Sequence, residues 1–219
     1  MKFITKIFSL VLLTSSLSAE EVAILPKPDA EGWIKLFNGE DLTGWNGDPK
    51  VWEVKDGYIF GKIDKLEGGN TFLIFKKPFS NYVLEVDVIL VGRKGNSGIQ
   101  YRSKHSERGA NKWVVKGYQA DFANGCWGKL YEEGGRGALV WKYKDKAPEI
   151  KADDEWNRYR ITANGSNLKQ ELNGTVTIEL DDKDPAKAAK EGVIALQYHS
   201  PGGFEVRFRN IRIKLLEDK

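Results

Sequence analysis

From Trp33 to Leu215 apolar and polar residues alternate in short runs with a period of two, the repeat that puts one set of side chains on each face of a β-strand. Trp52 and Val54 alternate with Glu53 and Lys55; Asp56-Gly57 then breaks the run and Tyr58-Ile59-Phe60 resumes it. Tyr82, Leu84, Val86 and Val88 alternate with Val83, Glu85 and Asp87, which predicts a strand with one mostly polar face. Further runs at 158–163, 167–172 and 176–180 are joined through Asn164-Gly165 and Asn173-Gly174, the dipeptide that most strongly favours tight hairpin turns. Two such turns in succession predict an antiparallel meander. In the last run the parity changes, with Phe204, Val206 and Phe208 on even positions and Ile211, Ile213 and Leu215 on odd ones. One extra residue must be absorbed near Arg209-Asn210, so a β-bulge is predicted there. The single helical signal is Asp184-Pro185 followed by Ala186 to Glu191 and then Gly192, which predicts one short connector helix. The 145–154 stretch reads as a polar loop. Many short strands, 23 glycines and almost no helix place the chain in the all-β class, as an antiparallel β-sandwich or barrel.

The first nineteen residues depart from this pattern. Lys2 and Lys6 are followed by an apolar run from Ile7 to Leu13, and the small residues of 14–19 precede Glu20-Glu21. That is the layout of a secretory signal peptide ending at Ala19, so a periplasmic or secreted location is expected. The apolar run falls short of the roughly 20 residues that cross a bilayer, and no membrane span is expected. Residues 20–32, with Pro26 and Pro28, read as a linker, and 33–216 as one domain.

Composition narrows the function. The 34 basic and 31 acidic residues are interspersed and leave a net charge of +3, so no single-sign field recruits nucleic acid. The lone Cys126 excludes an intramolecular disulfide and a cysteine-based zinc site; without a neighbouring His or a nucleophile elbow it reads as a structural thiol. Gly92 to Gly98 is glycine-rich but has neither the phosphate-loop ending nor the dinucleotide fingerprint, so no NAD is expected. Glu85-Val86-Asp87 resembles the start of a jelly-roll glucanase motif, but the third acidic residue is missing.

Three strands have an informative polar face. Gln100 and Arg102 alternate with Ile99 and Tyr101; Gln119 and Asp121 alternate with Tyr118, Ala120 and Phe122; Gln197 and His199 alternate with Ile194, Leu196 and Tyr198. The apolar sets must face the core, so the polar sets share the opposite face. Each position taken singly could be an ordinary solvated one. Together, Gln, Arg, Asp and His in place of the usual Lys, Glu and Thr are what a sugar site uses, because amides and charges bind hydroxyls while a carboxylate and an imidazole move protons. His105, in a hydrophilic stretch, reads as solvated. Trp45, Trp113, Trp127, Tyr131 and Trp141 lie in loop-like or glycine-rich surroundings and serve either core packing or stacking on a sugar ring.

Several segments together resemble the 3-keto-disaccharide hydrolase domain family. These are Trp33 to Gly39 with Leu42 to Trp45, Asn96 to Arg102, Gly117 to Asp121, Gly128 to Tyr131, Glu155 to Asn157, Leu172 to Gly174, and Gly192 to His199 with Phe208 to Ile211. The resemblance implies a concanavalin-A-like jelly-roll β-sandwich and cleavage of glycosides already oxidised to a ketone at C3, by elimination and hydration or by hydrolysis. A C3 ketone acidifies the C2 proton; a base removes it, and collapse of the enolate expels the C1 substituent. Such a site needs a base, a donor for the enolate oxygen and an acid for the leaving group. The expected roles are Asp121 as base, Arg102 and Gln119 on the enolate oxygen, and His199 as acid. Gln100, Gln197, Tyr131 and Trp127 are expected on the sugar. Asp121 and His199 are also a candidate pair for a divalent cation, although no cofactor is firmly implied. Another enzyme, a sugar 3-oxidoreductase, would have to install the ketone. Two alternatives are a non-catalytic carbohydrate-binding module of the same fold and a structural β-sandwich of an envelope assembly.

Overall fold

The computed structural model describes residues 22–108 and 110–217; the expected signal peptide, residues 1–19, lies outside them. Fifteen strands, numbered in chain order, form two antiparallel sheets among these residues. The first sheet runs β13 (Thr175–Asp181), β12 (Asn167–Leu172), β11 (Asn157–Asn164), β6 (Tyr82–Leu90), β15 (Phe204–Leu215), β4 (Tyr58–Ile63), β3 (Trp52–Lys55), and β1 (Ile34–Lys35) pairs with the far end of β15. The second runs β10 (Gly137–Val140), β9 (Lys129–Glu133), β8 (Asn111–Ala123), β7 (Asn96–Arg108), β14 (Val193–Tyr198), β5 (Thr71–Phe75), β2 (Trp45–Asn46). This is the expected all-β jelly-roll sandwich.

The period-two pattern explains the layers. Leu84, Val86 and Val88 of β6, Tyr159 and Ile161 of β11 and Val206 and Phe208 of β15 face Ile99, Tyr101, Tyr118, Ala120, Phe122 and Leu196 of the second sheet, all buried. The Phe122 ring bridges the layers, 5.8 Å from Tyr159 and 6.1 Å from Phe208. The Asn173-Gly174 turn joins β12 to β13 with φ of 50° and 80°, the left-handed pair a tight hairpin needs. The preceding turn is displaced by one residue: Asn164 pairs with Asn167, and Gly165-Ser166 form the loop. The bulge near 209–210 is present, as a register shift between Arg209 and Arg212 with Asn210 at φ 50°.

The connector helix is not formed. Asp184 does act as a cap, its Oδ1 accepting from the amides of Ala186 and Lys187, but only one turn follows. Propagation stops because tertiary partners take the next backbone groups: the Ala189 amide donates to Tyr118 Oη and its carbonyl accepts from Arg102 Nη1. Glu85 and Asp87, on the polar face of β6, are buried, because arginine side chains pair with them and cover that face.

Candidate active site

The outer face of the second sheet carries a polar row at its centre. The ladder pairs Gln100 with Gln119, and Gln119 with Tyr131 on its other side, so Gln100 (β7), Gln119 (β8) and Tyr131 (β9) lie abreast. Asp121 on β8 and Gln197 on β14 lie one step along on the same face. A hydrogen-bonded chain fixes the carboxylate. The Ser103 hydroxyl donates to Gln100 Oε1 (2.7 Å), Gln100 Nε2 donates to Gln119 Oε1 (2.6 Å), and Gln119 Nε2 donates to Asp121 Oδ1 (3.1 Å). Each amide is thereby held in one orientation. Gly98, beside Gln119, allows this packing: a Cβ there would stand 2.4 Å from Gln119 Cδ.

A second carboxylate joins the first. Gln197 Nε2 donates to Glu133 Oε2 at 3.2 Å, although β7 and β8 lie between their strands. In a flat sheet those strands would be about 14 Å apart, so the contact requires the sheet to curl toward this face. The hollow collects Asn70 and the charges of His199 and Arg108 around Glu133. Glu133 also lines a cavity of about 540 Å³ with His105, Lys104 and Lys116 on its walls. Gln197 Oε1 is buried and has no hydrogen-bond partner among the described residues, leaving an acceptor for a ligand hydroxyl.

Electrostatics separates the two acids from ordinary surface carboxylates. Burial pushes Asp121 up to about 6, helped by the nearby charge of Glu133 and opposed by the bonds from Gln119 and Cys126. Burial also raises Glu133, opposed by the His199 charge and by Asn70, Arg108 and Gln197. Both carboxyl groups are raised mainly by desolvation, and the charge of Glu133 adds to the rise at Asp121. The Cys126 thiol lies 3.8 Å from Asp121 Oδ2 and is pushed up to about 12 by burial, so it stays protonated and donates. That makes it a support for Asp121, not a nucleophile. Among the described residues no three His, Cys, Asp or Glu side chains gather to hold a metal, so Asp121 and His199 have no third ligand of those types.

The structure brings Gln100, Gln119, Asp121, Gln197 and Tyr131 onto one face, with half-buried His199 at its edge. It removes Arg102. The register slips between Tyr101 and Lys104, Arg102 takes φ 47°, and its guanidinium turns away. Nε donates to Ser80 O, Nη1 to Gly165 O and Ala189 O, and Nη2 to Asn81 Oδ1. Those four bonds pin loops of both sheets together, so Arg102 is a structural clamp. Trp127 is removed as well: it is buried against Phe122, with ring centroids 5.2 Å apart. Trp45 is also core, its indole donating to Leu36 O, whereas Trp113 is half-buried beside the small apolar cluster of Phe72, Ile74 and Val115 on the hollow face. His105 is exposed, as expected.

Sequence reasoning passed over Glu133, Asn70 and Arg108. Glu133 was within reach, since it lies two residues after Tyr131 and shares its face. Asn70 precedes β5, and Arg108 ends β7; only the curl of the sheet brings them to Glu133.

Comparison with known proteins agrees with this carbohydrate-type chemistry. A curated relative, the 3-keto-disaccharide hydrolase of Bacteroides thetaiotaomicron, is 28% identical over 255 residues, covering 94% of this chain and 87% of that protein. A solved structure of a candidate glycosyl hydrolase from Parabacteroides distasonis superposes with a TM-score of 0.64 at 22% identity, over 86% of this chain and 95% of that one. A carbohydrate-binding module from Bacillus subtilis superposes at 0.56 with 19% identity, over 77% and 94% of the two chains, which shows a shared fold. The model of the 3-keto-α-glucoside-1,2-lyase-like domain matches residues 32–214, and the protein belongs to that carbohydrate-active family.

Proposed function

We propose that the protein is an exported enzyme that cleaves 3-keto-glycosides in the hollow of the second sheet. The observation that carries this reading is the pair of buried Asp121 and half-buried Glu133, both raised, with Asp121 oriented by the Ser103–Gln100–Gln119 chain. At neutral pH Asp121 is the ionised partner and takes the C2 proton of the sugar, becoming a carboxylic acid. The electron pair of that C–H bond forms the enolate, whose oxygen is to be stabilised by donors on this face, with Gln119 and Arg108 as candidates. Collapse of the enolate breaks the C1–O bond, and Glu133, whose proton affinity burial raises, passes a proton to the departing oxygen. The product is a 2-hydroxy-3-keto-glycal, and addition of water across its double bond completes net hydrolysis. Burial strengthens the base, because a carboxylate in a poorly solvated site holds a proton more tightly than one in water, and it keeps the acid protonated to a higher pH. The expected His199 acid is reassigned: the imidazole modulates Glu133, and Gln197 Oε1 receives a sugar hydroxyl.

Purified protein incubated with a 3-keto-disaccharide is expected to release the keto sugar, with Asp121→Asn and Glu133→Gln each reducing kcat by roughly 10²–10⁴-fold. Glu133→Gln should also lower the pKa of the acidic limb of the pH profile, since the negative charge that raises Asp121 is gone. Unimpaired turnover in both variants would dismiss the site. Failure to turn over any 3-keto-glycoside, combined with binding of unoxidised sugar, would identify a binding module instead.

A further inference from the structure

A second built surface lies on the outer face of the first sheet and does not depend on the catalytic reading. The ladder sets Asp87 of β6 opposite Arg158 of β11 on one side and Arg209 of β15 on the other; Glu85 is likewise flanked by Arg160 and Arg212. Two Arg–carboxylate–Arg rows result, about 7 Å apart along the strands. Both carboxylates are buried and satisfied. Glu85 accepts from Arg160 Nη1 (2.7 Å) and Arg212 Nε (2.8 Å). Asp87 accepts from Arg158 Nε (2.7 Å) and Nη2 (3.1 Å) and from Asn210 Nδ2 (2.7 Å).

Each row therefore joins two guanidinium groups to one carboxylate; in the Glu85 row Arg160 also reaches Glu171 at 4.0 Å, whereas the Asp87 row keeps one positive charge in excess. Tryptophans fix the guanidinium planes: Arg209 lies 4.1 Å from the Trp156 ring centroid, and Arg212 lies 4.4 Å from that of Trp33. Arg209 Nε is buried without a hydrogen-bond partner among the described residues. Over the rows lies a cavity of about 690 Å³ that also exposes Lys151 and Asn173, and Glu171 on its rim is already paired with Lys169 at 3.3 Å. Lys151 adds a further cation that is in none of the ion pairs of the described residues. A rigid, half-exposed guanidinium with unused N–H groups recognises planar carboxylates in fork geometry, and pre-orientation removes most of the entropic cost. The volume suits an oligosaccharide of about two or three sugar units, whose carboxylates lie on different rings.

We propose that this face binds an acidic oligosaccharide, its carboxylates seated on Arg158, Arg209 and Lys151. Calorimetric titration at low salt with a trimer of galacturonic acid is expected to show binding that weakens steeply as salt is added, and none with the uncharged galactose trimer. Lys151→Gln and Arg158→Gln should each weaken binding by about tenfold, while Asp121→Asn leaves it unchanged. Lys151→Gln lies outside the ion-pair lattice, so it reports on the ligand even where Arg158→Gln disturbs Asp87; thermal melts of both verify the fold. Absence of binding, or affinity untouched by both substitutions, would overturn the proposal. Equal affinity for inorganic polyphosphate of matched charge would overturn the sugar assignment.

Discussion

Replacing Asp121 by Asn separates the function of this carboxyl group from its cost to the fold. In the unfolded chain it titrates near 3.8 and in the folded protein near 6, because it is buried and close to Glu133. A folded value above the unfolded one means the native state prefers the protonated form. The stabilising preference is complete below about pH 4 and is lost as pH rises through 6. By pH 8 the native state holds a desolvated carboxylate at a cost of about 3 kcal/mol, roughly two pH units at ~1.4 kcal/mol each. Asn keeps an oxygen for the Gln119 Nε2 donor but cannot ionise. Urea unfolding is therefore expected to show the variant gaining about 3 kcal/mol over the parent between pH 4 and pH 8, while turnover at pH 8 collapses. A stability difference that does not change with pH would refute the burial argument. Retained turnover would refute the assignment of the base.

Three further substitutions probe the supports of the site. Gly98→Ala places a methyl group 2.4 Å from Gln119 Cδ, so it should displace that amide, cost about 1–3 kcal/mol in thermal melts and lower kcat by tenfold or more. Arg102→Met strips the donors from Ser80 O, Gly165 O, Ala189 O and Asn81 Oδ1 and should cost about 3–5 kcal/mol, with turnover per folded molecule changed less than about twofold. A loss of kcat without loss of stability would instead return Arg102 to the catalytic face. Asp182, held down to about 2 by Arg136 and hydrogen-bonded by Tyr118, stabilises the fold above its unfolded value of 3.8 and loses that contribution as pH falls toward 2. Asp182→Asn should therefore destabilise by about 2 kcal/mol at pH 7, with the gap closing in acid; a gap that persists at pH 2 would exclude the linkage.

The strands, most turns and the bulge at Asn210 were legible in the chain because each depends on local constraints: side-chain parity, turn dihedrals and the break in alternation. The same parity put Gln100, Gln119, Asp121 and Gln197 on one face. The connector after Asp184 misled because its cap and composition favour a helix, whereas Tyr118 and Arg102, remote in sequence, claim the backbone of Ala189. Parity also failed at Arg102, where the register slip turns the side chain out of the alternation.

What the sequence determined by itself was the two-faced strand and therefore which residues could share a surface. What only the tertiary structure decided was how that surface bends and what covers its reverse. The curl that brings Glu133, Asn70 and Arg108 to the Asp121 row is set by the packing of one sheet on another, and the stacking of four arginines over Glu85 and Asp87 needs strands far apart in sequence to lie side by side. Proton affinity follows from the same source, since desolvation depends on every neighbour that excludes water and not on the residue's position in the chain.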